Sequence, residues 1–232
     1  MDTPKIVSRQ EWLKARKAFL AKEKAFTKER DRLSAARRAL PLVKIAKDYR
    51  FQTASGDQSL ADLFGPHSQL IIYHFMFGPD WEEGCPSCSF WADNFNGIDA
   101  HLAARDTAFA AVSNAPLEKL LAYRDRLGWS FNWASAAGSA FSADFGVSFH
   151  DGDGADGQGY NYTGKVFGEE MPGVCVFLRL PDGTLCHSYS TYARGLDMLN
   201  AAYHFLDLTP KGRDEDNLDF TMAWIRRRDQ YA

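Results

Sequence analysis

The stretch LIIYHFMFGPDWEEGCPSC, residues 70–88, decides the fold that the rest of the sequence must accommodate. Its first eight residues, Leu70–Phe77, are apolar apart from one histidine, which is typical of a strand buried on both faces. A Gly-Pro pair ends this strand, and a short loop leads to two cysteines separated by two residues. Helical spacing begins beside the second cysteine. A buried strand therefore delivers Cys85 and Cys88 to the start of a helix.

Two cysteines at this spacing favour dithiol chemistry. A dithiol that exchanges electrons needs one accessible thiolate and a second, shielded thiol that resolves the mixed disulfide. Cys85 faces the unpaired N–H groups at the start of the predicted helix, which favour its anion. Pro86 falls in the first helical turn, where its missing donor costs nothing, whereas Glu82 and Glu83 oppose a nearby thiolate. We therefore predict that Cys85 is the nucleophile and Cys88 the resolving thiol.

A zinc site is the alternative for a C-x-x-C pair, and it needs two further ligands. Two later cysteines and the histidine beside one of them are the remaining candidates. A two-residue hairpin turn would place Cys186 opposite Arg179 and Cys175 opposite Ser190, so that these thiols do not cluster. The sequence therefore predicts packing cysteines here, with no metal and no cofactor.

Strands and helices alternate along the chain, which indicates a parallel sheet, and a late hairpin adds an antiparallel edge. The predicted strands are Tyr49–Thr53, Leu70–Phe77, Thr107–Ser113, Ser130–Ala134, Val174–Leu180 and Thr184–Tyr189. The predicted helices are Ser59–Phe64, Ser87–Ala104, 116–127 and Arg194–Leu206. The predicted class is α/β, with a mixed central sheet flanked by helices.

Residues 1–45 form a basic arm ahead of a domain predicted over residues 46–232. The first fifty residues carry 15 Lys and Arg against 6 Asp and Glu, a net charge of +9, whereas the remainder carries −12. Ser8 and Glu11 form a capping box that begins a long helix, which ends before Pro41. Large apolar side chains recur along it every seven residues, at Trp12, Phe19, Phe26, Leu33 and Leu40. A nucleic-acid arm does not need such a stripe, so we predict an arm packed on the acidic body of its own chain or of a dimer partner. We favour the exchange across a homodimer.

The composition excludes several classes of protein. The chain has 232 residues, 45% of them hydrophobic and 25% charged, which suits a folded domain with a sizeable core. No apolar run reaches the ~20 residues of a membrane span, and no apolar signal segment follows the charged N-terminus. Four cysteines are too few for a disulfide scaffold, and the loop DGDGADG (151–157) lacks the glutamate of a calcium loop. These features predict a soluble, cytoplasmic protein without a membrane or nucleic-acid partner.

The order of these motifs resembles the thioredoxin superfamily: strand, C-x-x-C, helix, a much later Met171-Pro172, a hairpin and a final helix. The resemblance implies that the bond before Pro172 is cis and that this proline lies against the dithiol, where neighbouring backbone holds an extended substrate segment. The residues expected to contact substrate are Trp81, Pro86, Ser87, Met171 and Pro172.

Three blocks narrow the resemblance: HFMFGPDWEEGCPSC (74–88), HSYSTYARGLD (187–197) and LDLTPKGRDE (206–215). Together they are similar to a bacterial thioredoxin-like family of unknown function, whose members are labelled dithiol–disulfide oxidoreductases. The resemblance implies a thiol–disulfide oxidoreductase that acts on protein or small-molecule disulfides, with a disulfide or thiol substrate and a thiol electron donor.

Two alternatives to this function stay open. Peroxiredoxins carry P-x-x-x-T/S-x-x-C after the same strand, so Cys85 could serve a thiol peroxidase, although the proline falls one place late, at Pro79, and Glu82 replaces the hydroxyl. The other alternative is a non-enzymatic interaction module on the same scaffold. His74 is either a proton relay to Cys88 or a hydrogen-bonded core histidine.

Overall fold

A computed structural model describes residues 5–150 and 159–231 of the chain, so the predicted loop DGDGADG lies outside the described residues. The chain divides into two compact units, Met1–Pro41 and Leu42–Ala232. No helix in the described part is long and apolar enough to cross a membrane.

The first unit contains the long helix α1 (Arg9–Arg38). The predicted capping box is present: the Ser8 hydroxyl accepts the Glu11 N–H at 3.2 Å, and Glu11 accepts the Ser8 N–H at 3.0 Å. The five side chains of the heptad stripe are each exposed over 46% to 70% of their surface. Burying a large apolar side chain contributes ~1.5–3 kcal/mol, so this exposed stripe is a surface that a partner would stabilise.

The second unit is built on one mixed sheet. Its strands are β1 (Val43–Lys44), β2 (Arg50–Thr53), β3 (Gly56–Ser59), β4 (Gln69–His74), β5 (Thr107–Ser113), β6 (Asn132–Ser135), β7 (Gly173–Arg179) and β8 (Leu185–Tyr192). Its helices are α2 (Leu60–Leu63), α3 (Pro86–Ala92), α4 (Ile98–Ala103), α5 (Leu117–Arg126), α6 (Phe141–Asp144) and α7 (Ala201–Asp207), with 3-10 helices at Ala193–Leu199 and Arg228–Gln230. Across the described residues the strand order is β1-β8-β7-β4-β5-β6-β2-β3.

Strand β4 lies at the centre of this sheet and pairs in parallel with β5 and antiparallel with β7. Side chains alternate between the two faces of a strand. Tyr73 therefore faces the core that contains Cys88 and Trp91, whereas His74 faces the core around Phe141. The α/β class, the mixed sheet and the thioredoxin-like order of elements that the sequence predicts are confirmed.

Some predicted boundaries differ from the structure. The helix predicted over residues 87–104 is divided at Gly97, whose φ of +81° is left-handed and favours glycine. The predicted closing helix is a 3-10 helix followed by α7, which begins at the cap residue Asn200. Val43–Lys44, which the sequence assigns to the arm, pairs with β8 of the sheet.

The late hairpin differs from its predicted register by one residue near the turn. The connection holds three residues rather than two, so Cys186 lies opposite Leu178 and not opposite Arg179. A bulge further along the two strands shifts the register by one residue, and Cys175 lies opposite Ser190 as predicted.

We propose that a second copy of the chain covers the stripe, because the arm is basic and the rest of the chain is acidic. Replacing Phe19 and Phe26 together by Gln should convert a dimer into a monomer or an aggregate, measured by sedimentation at micromolar concentration. The matched control replaces Lys17 and Lys24, on the opposite side of the helix, by Arg, which keeps the charge of the arm and should leave the dimer intact. Sedimentation of the unmodified protein as a monomer would contradict the proposal.

Candidate active site

Cys85 is the residue that caps the start of α3. Its N–H donates to the carbonyl of Met76, at 3.0 Å, which fixes the loop against the end of β4. Pro86 occupies the first helical position, where no N–H is needed. Gly84 is required before it, since a Cβ there would lie 2.7 Å from a ring atom of Phe75. These constraints hold the half-buried Cys85 thiol at the surface end of the helix.

Cys88 lies one turn further along α3 and is only 2% exposed. The N–H of Met76 donates to its sulfur at 3.4 Å, and the Tyr73 hydroxyl is a second donor to that sulfur. Both cysteines are free thiols. Cys85 is therefore the more accessible of the two sulfurs, and Cys88 is shielded behind it.

The two thiols have opposite pKa shifts. A hydrogen bond from the Cys88 side chain lowers the pKa of Cys85 to about 7, with help from the backbone N–H groups of Cys88 and Ser87, against the cost of burial. Burial, followed by the hydrogen bond to Cys85, raises the pKa of Cys88 well above its ordinary value. As the pH rises above about 7 the pair therefore holds one proton between two sulfurs, with the negative charge on Cys85.

The acidic residues before the dithiol oppose this thiolate less than the sequence suggests. Glu83 forms ion pairs with Arg126 and, at 2.7 Å, with Arg227. Arg227 also donates to the Gly84 carbonyl at 2.8 Å, so it holds the loop directly before Cys85. Glu82 is exposed to water. The expectation that Glu83 opposes the thiolate is corrected, because its charge is neutralised by two arginines.

A cleft of about 480 Å³ opens beside the sulfurs. It lies between the start of α3, the segment before β7, the 3-10 helix after β8 and a C-terminal segment. The residues that line it are Tyr73, Met76, Cys85, Ser87, Cys88, Trp91, Tyr160, Met171, Pro172, Ala193, Arg194, Leu196, Asp197, Tyr203, Thr221 and Met222. The structure thus brings the C-P-S-C motif and Met171-Pro172 together, although they lie far apart along the chain.

The predicted substrate contacts divide into two groups. Those that line the cleft are Ser87, Met171 and Pro172. Trp81 instead packs over Gly78, where a Cβ would lie 2.9 Å from the indole nitrogen. Its carbonyl accepts a hydrogen bond from Lys119 at 3.2 Å. Pro86 is exposed on α3. Neither Trp81 nor Pro86 is among the residues that line the cleft, and their roles stay predictions.

The bond between Met171 and Pro172 is trans, because the described residues contain no cis peptide bond. The expectation of a cis bond is therefore wrong. The trans form is preferred by ~0.5–1 kcal/mol before proline. Local hydrogen bonds hold the segment as it is: the Tyr160 hydroxyl donates to the Pro172 carbonyl at 2.7 Å, and the Met171 N–H donates to Val147 at 2.8 Å.

His74 is a core residue. Its Nε2 atom lies 3.2 Å from the Cys175 sulfur, and its ring stacks on Phe141 with centroids 5.4 Å apart. Burial lowers the pKa of His74 to about 3, so the ring is neutral. It faces away from the dithiol, and the alternative of a proton relay to Cys88 is wrong. The residue beneath Cys88 is Tyr73, which the alternation along β4 could have identified.

The C-terminal segment supplies a wall of the cleft that the sequence analysis missed. Thr221 and Met222 line the cleft, and Met222 has a φ of +74°, which is strained for a residue other than glycine. Its N–H donates to Glu215 at 3.2 Å. The same carboxylate oxygen accepts the Trp224 indole N–H at 2.7 Å and the Tyr203 hydroxyl at 2.6 Å. Glu215 therefore fixes this wall. The sequence signal that could have predicted it is the pair of large apolar residues, Met222 and Trp224, after the final helix.

The two other cysteines lie away from the cleft. Cys175 is buried, with its sulfur 3.1 Å from the Ser190 hydroxyl, and burial raises its pKa to about 12. Cys186 is also buried. Within the described ranges no group of three or more His, Cys, Asp or Glu side chains is arranged to hold a metal ion.

Replacing Cys88 by Ala should raise the pKa of Cys85, because the largest cause of its lowering is the Cys88 hydrogen bond. The thiolate, which in the unmodified protein forms as the pH rises through about 7, should then form only at higher pH. The pH dependence of Cys85 alkylation by iodoacetamide, followed by peptide mapping, measures this shift. Cys186→Ala is the matched control, and an unchanged profile in Cys88→Ala would refute the coupling.

Solved structures similar to this chain share little sequence with it. Peroxidoxin BcpB from Mycobacterium tuberculosis is 15% identical and has a TM-score of 0.49, covering 70% of this chain and 94% of its own. A cysteine-to-serine mutant of peroxiredoxin Q from Xanthomonas campestris is also 15% identical, with a TM-score of 0.49 and 72% and 97% coverage. A Chlorobium tepidum protein assigned as thiol:disulfide interchange protein DsbE has 15% identity, a TM-score of 0.42 and 71% and 94% coverage.

No curated protein sequence matches the chain. A family model does match, over residues 1–231, and its description is "Bacterial protein of unknown function (DUF899)". The match includes the arm, the C-P-S-C loop and the C-terminal segment that walls the cleft. The chain belongs to this bacterial family of unknown function.

Proposed function

We propose that the protein is a thiol–disulfide oxidoreductase in which Cys85 is the nucleophile and Cys88 the resolving thiol. The observation that carries the proposal is the opposite shift of the two pKa values, with the lowered one on the sulfur that is less buried. Dithiol exchange needs one thiol that is a thiolate and one that stays protonated. The thiolate attacks the substrate, and the shielded thiol reacts only after the mixed disulfide has formed.

In the first step the Cys85 thiolate attacks one sulfur of a substrate disulfide. The bond between the two substrate sulfurs breaks, a bond from Cys85 to one of them forms, and the other leaves as a thiolate and takes up a proton. A thiol with a pKa near the ambient pH combines a useful thiolate fraction with retained nucleophilicity. Cys85, whose pKa is about 7, meets this condition.

In the second step Cys88 releases the product. Once Cys85 is in the mixed disulfide its negative charge is gone, which removes one cause of the raised Cys88 pKa. The Met76 N–H and the Tyr73 hydroxyl then stabilise a Cys88 thiolate. This thiolate attacks Cys85, the two cysteines form a disulfide, and the remaining substrate thiolate leaves. A thiol electron donor returns the dithiol to its reduced form.

We propose the cytoplasm as the location, because a reducing compartment keeps thiols reduced between turnovers. All four cysteines of the chain are free in the structure. The alternative of a thiol peroxidase has less support. The place where a peroxidase holds a peroxide-binding hydroxyl carries Glu82, and this carboxylate is exposed to water.

Turnover of bis(2-hydroxyethyl) disulfide with dithiothreitol as reductant tests the proposal. Cys85→Ser should abolish turnover. Pre-reduced Cys88→Ser, freed of dithiothreitol and mixed with the disulfide alone, should trap a mixed disulfide with substrate on Cys85, visible by mass spectrometry. Cys186→Ser is the matched control and should retain activity. Unchanged turnover in Cys85→Ser would contradict the proposal. Faster consumption of hydrogen peroxide than of any disulfide would favour the peroxidase. Absence of both reactions would favour an interaction module.

A further inference from the structure

The cleft beside Cys85 offers little of the backbone hydrogen bonding that an extended polypeptide substrate needs. At the segment that faces the dithiol, the Met171 N–H already donates to Val147 at 2.8 Å, and Pro172 has no N–H. The Pro172 carbonyl already accepts the Tyr160 hydroxyl at 2.7 Å. A peptide strand added here would find these groups engaged, and main-chain hydrogen bonds are what give such an addition its affinity.

The side chains around the cleft are instead mostly apolar. They include Met76, Trp91, Met171, Leu196 and Met222. Methionine adapts its shape and packs on both alkyl and aromatic groups. A volume of about 480 Å³ lies in the range of small-molecule sites, ~300–1,000 Å³. This lining suits an apolar molecule of limited size.

The charged residues that line the cleft do not require a polar ligand to pair with them. Asp197 lines the cleft, but both of its oxygens accept hydrogen bonds from Arg213, at 2.7 and 3.0 Å. Arg194 is the other charged lining residue, and its side chain is 77% exposed, so water solvates its guanidinium. An apolar ligand would therefore not strip water from an unpaired charge.

The C-terminal segment forms one wall of the cleft. Met222 is held in a left-handed conformation, with its N–H bonded to Glu215. Such strain persists only where surrounding contacts impose it, and it is frequent at binding sites. Here those contacts include the tyrosine and tryptophan bonds to the same carboxylate, so the wall is braced.

We propose that the substrate of the dithiol is a small-molecule disulfide with alkyl or aryl substituents, and not a protein disulfide. The proposal rests on the proposed function, and it adds the class of substrate. One substituent occupies the cleft against Met222, and its sulfur meets the Cys85 thiolate. The products are two apolar thiols and the Cys85–Cys88 disulfide, which a dithiol reductant reduces again.

The test measures kcat/KM of the full-length protein for three disulfides: di-n-butyl disulfide, bis(2-hydroxyethyl) disulfide and insulin. Butanethiol is a poorer leaving group than mercaptoethanol, so chemistry alone would favour the hydroxyethyl compound. We expect a preference for the butyl compound of about tenfold or more, since filling an apolar pocket by a methylene changes kcat/KM by about 10- to 200-fold. Insulin should be the poorest substrate.

Variants separate the cleft from the dithiol. Met222→Ala should lower kcat/KM for the butyl compound about tenfold or more and leave that for the hydroxyethyl compound nearly unchanged. Met222→Gly should do the same, and glycine relieves the left-handed backbone, so the result does not depend on loss of folding. Met198→Ala, at an exposed methionine, is the matched control.

Three results would overturn the inference. Equal or lower kcat/KM for the butyl compound, faster reduction of insulin, or no effect of either Met222 variant would each refute an apolar small-molecule substrate while leaving the oxidoreductase intact. Absence of turnover with all three disulfides would instead refute the proposed function, and the inference with it.

Discussion

The backbone of Met76 is the constraint on which the candidate site depends. Its carbonyl accepts the Cys85 N–H, and its N–H donates to the Cys88 sulfur. One residue just beyond the end of β4 thus fixes both cysteines against the sheet. Because the backbone holds them, the Cys88 side chain can donate to Cys85, and that hydrogen bond is the largest cause of the lowered Cys85 pKa.

The alternation of β4 decides which buried groups serve the dithiol. Tyr73 faces the cysteines and its hydroxyl reaches Cys88, whereas His74, one residue later, faces the opposite core and a neutral cysteine. On the outer side, Arg227 neutralises Glu83 and holds the Gly84 carbonyl. The sheet therefore holds the buried side of the site through Tyr73, and the C-terminal segment holds its solvent side through Arg227.

Short sequence patterns correctly predicted the features that depend on residues close together in the chain. The apolar run of β4, the capping box at Ser8 and the C-P-S-C spacing each depend on neighbouring residues, and the strand, the helix start and the cysteines at the start of α3 lie where these patterns predict. Groups distant in the sequence were missed: pairing of Glu83 with Arg227 and closure of the cleft by Met222 depend on how the chain returns to the site. The trans bond before Pro172 was missed because the resemblance implied a cis bond, while local hydrogen bonds hold the trans segment.

The most direct test of the central claim is an equilibrium redox titration of the full-length protein in glutathione buffers, with peptide mapping at each step. The account predicts one two-electron transition in which Cys85 and Cys88 become joined to each other, while Cys175 and Cys186 stay reduced. A stable glutathione adduct on Cys85 that Cys88 does not displace would contradict it, and so would a protein whose two motif cysteines stay reduced throughout.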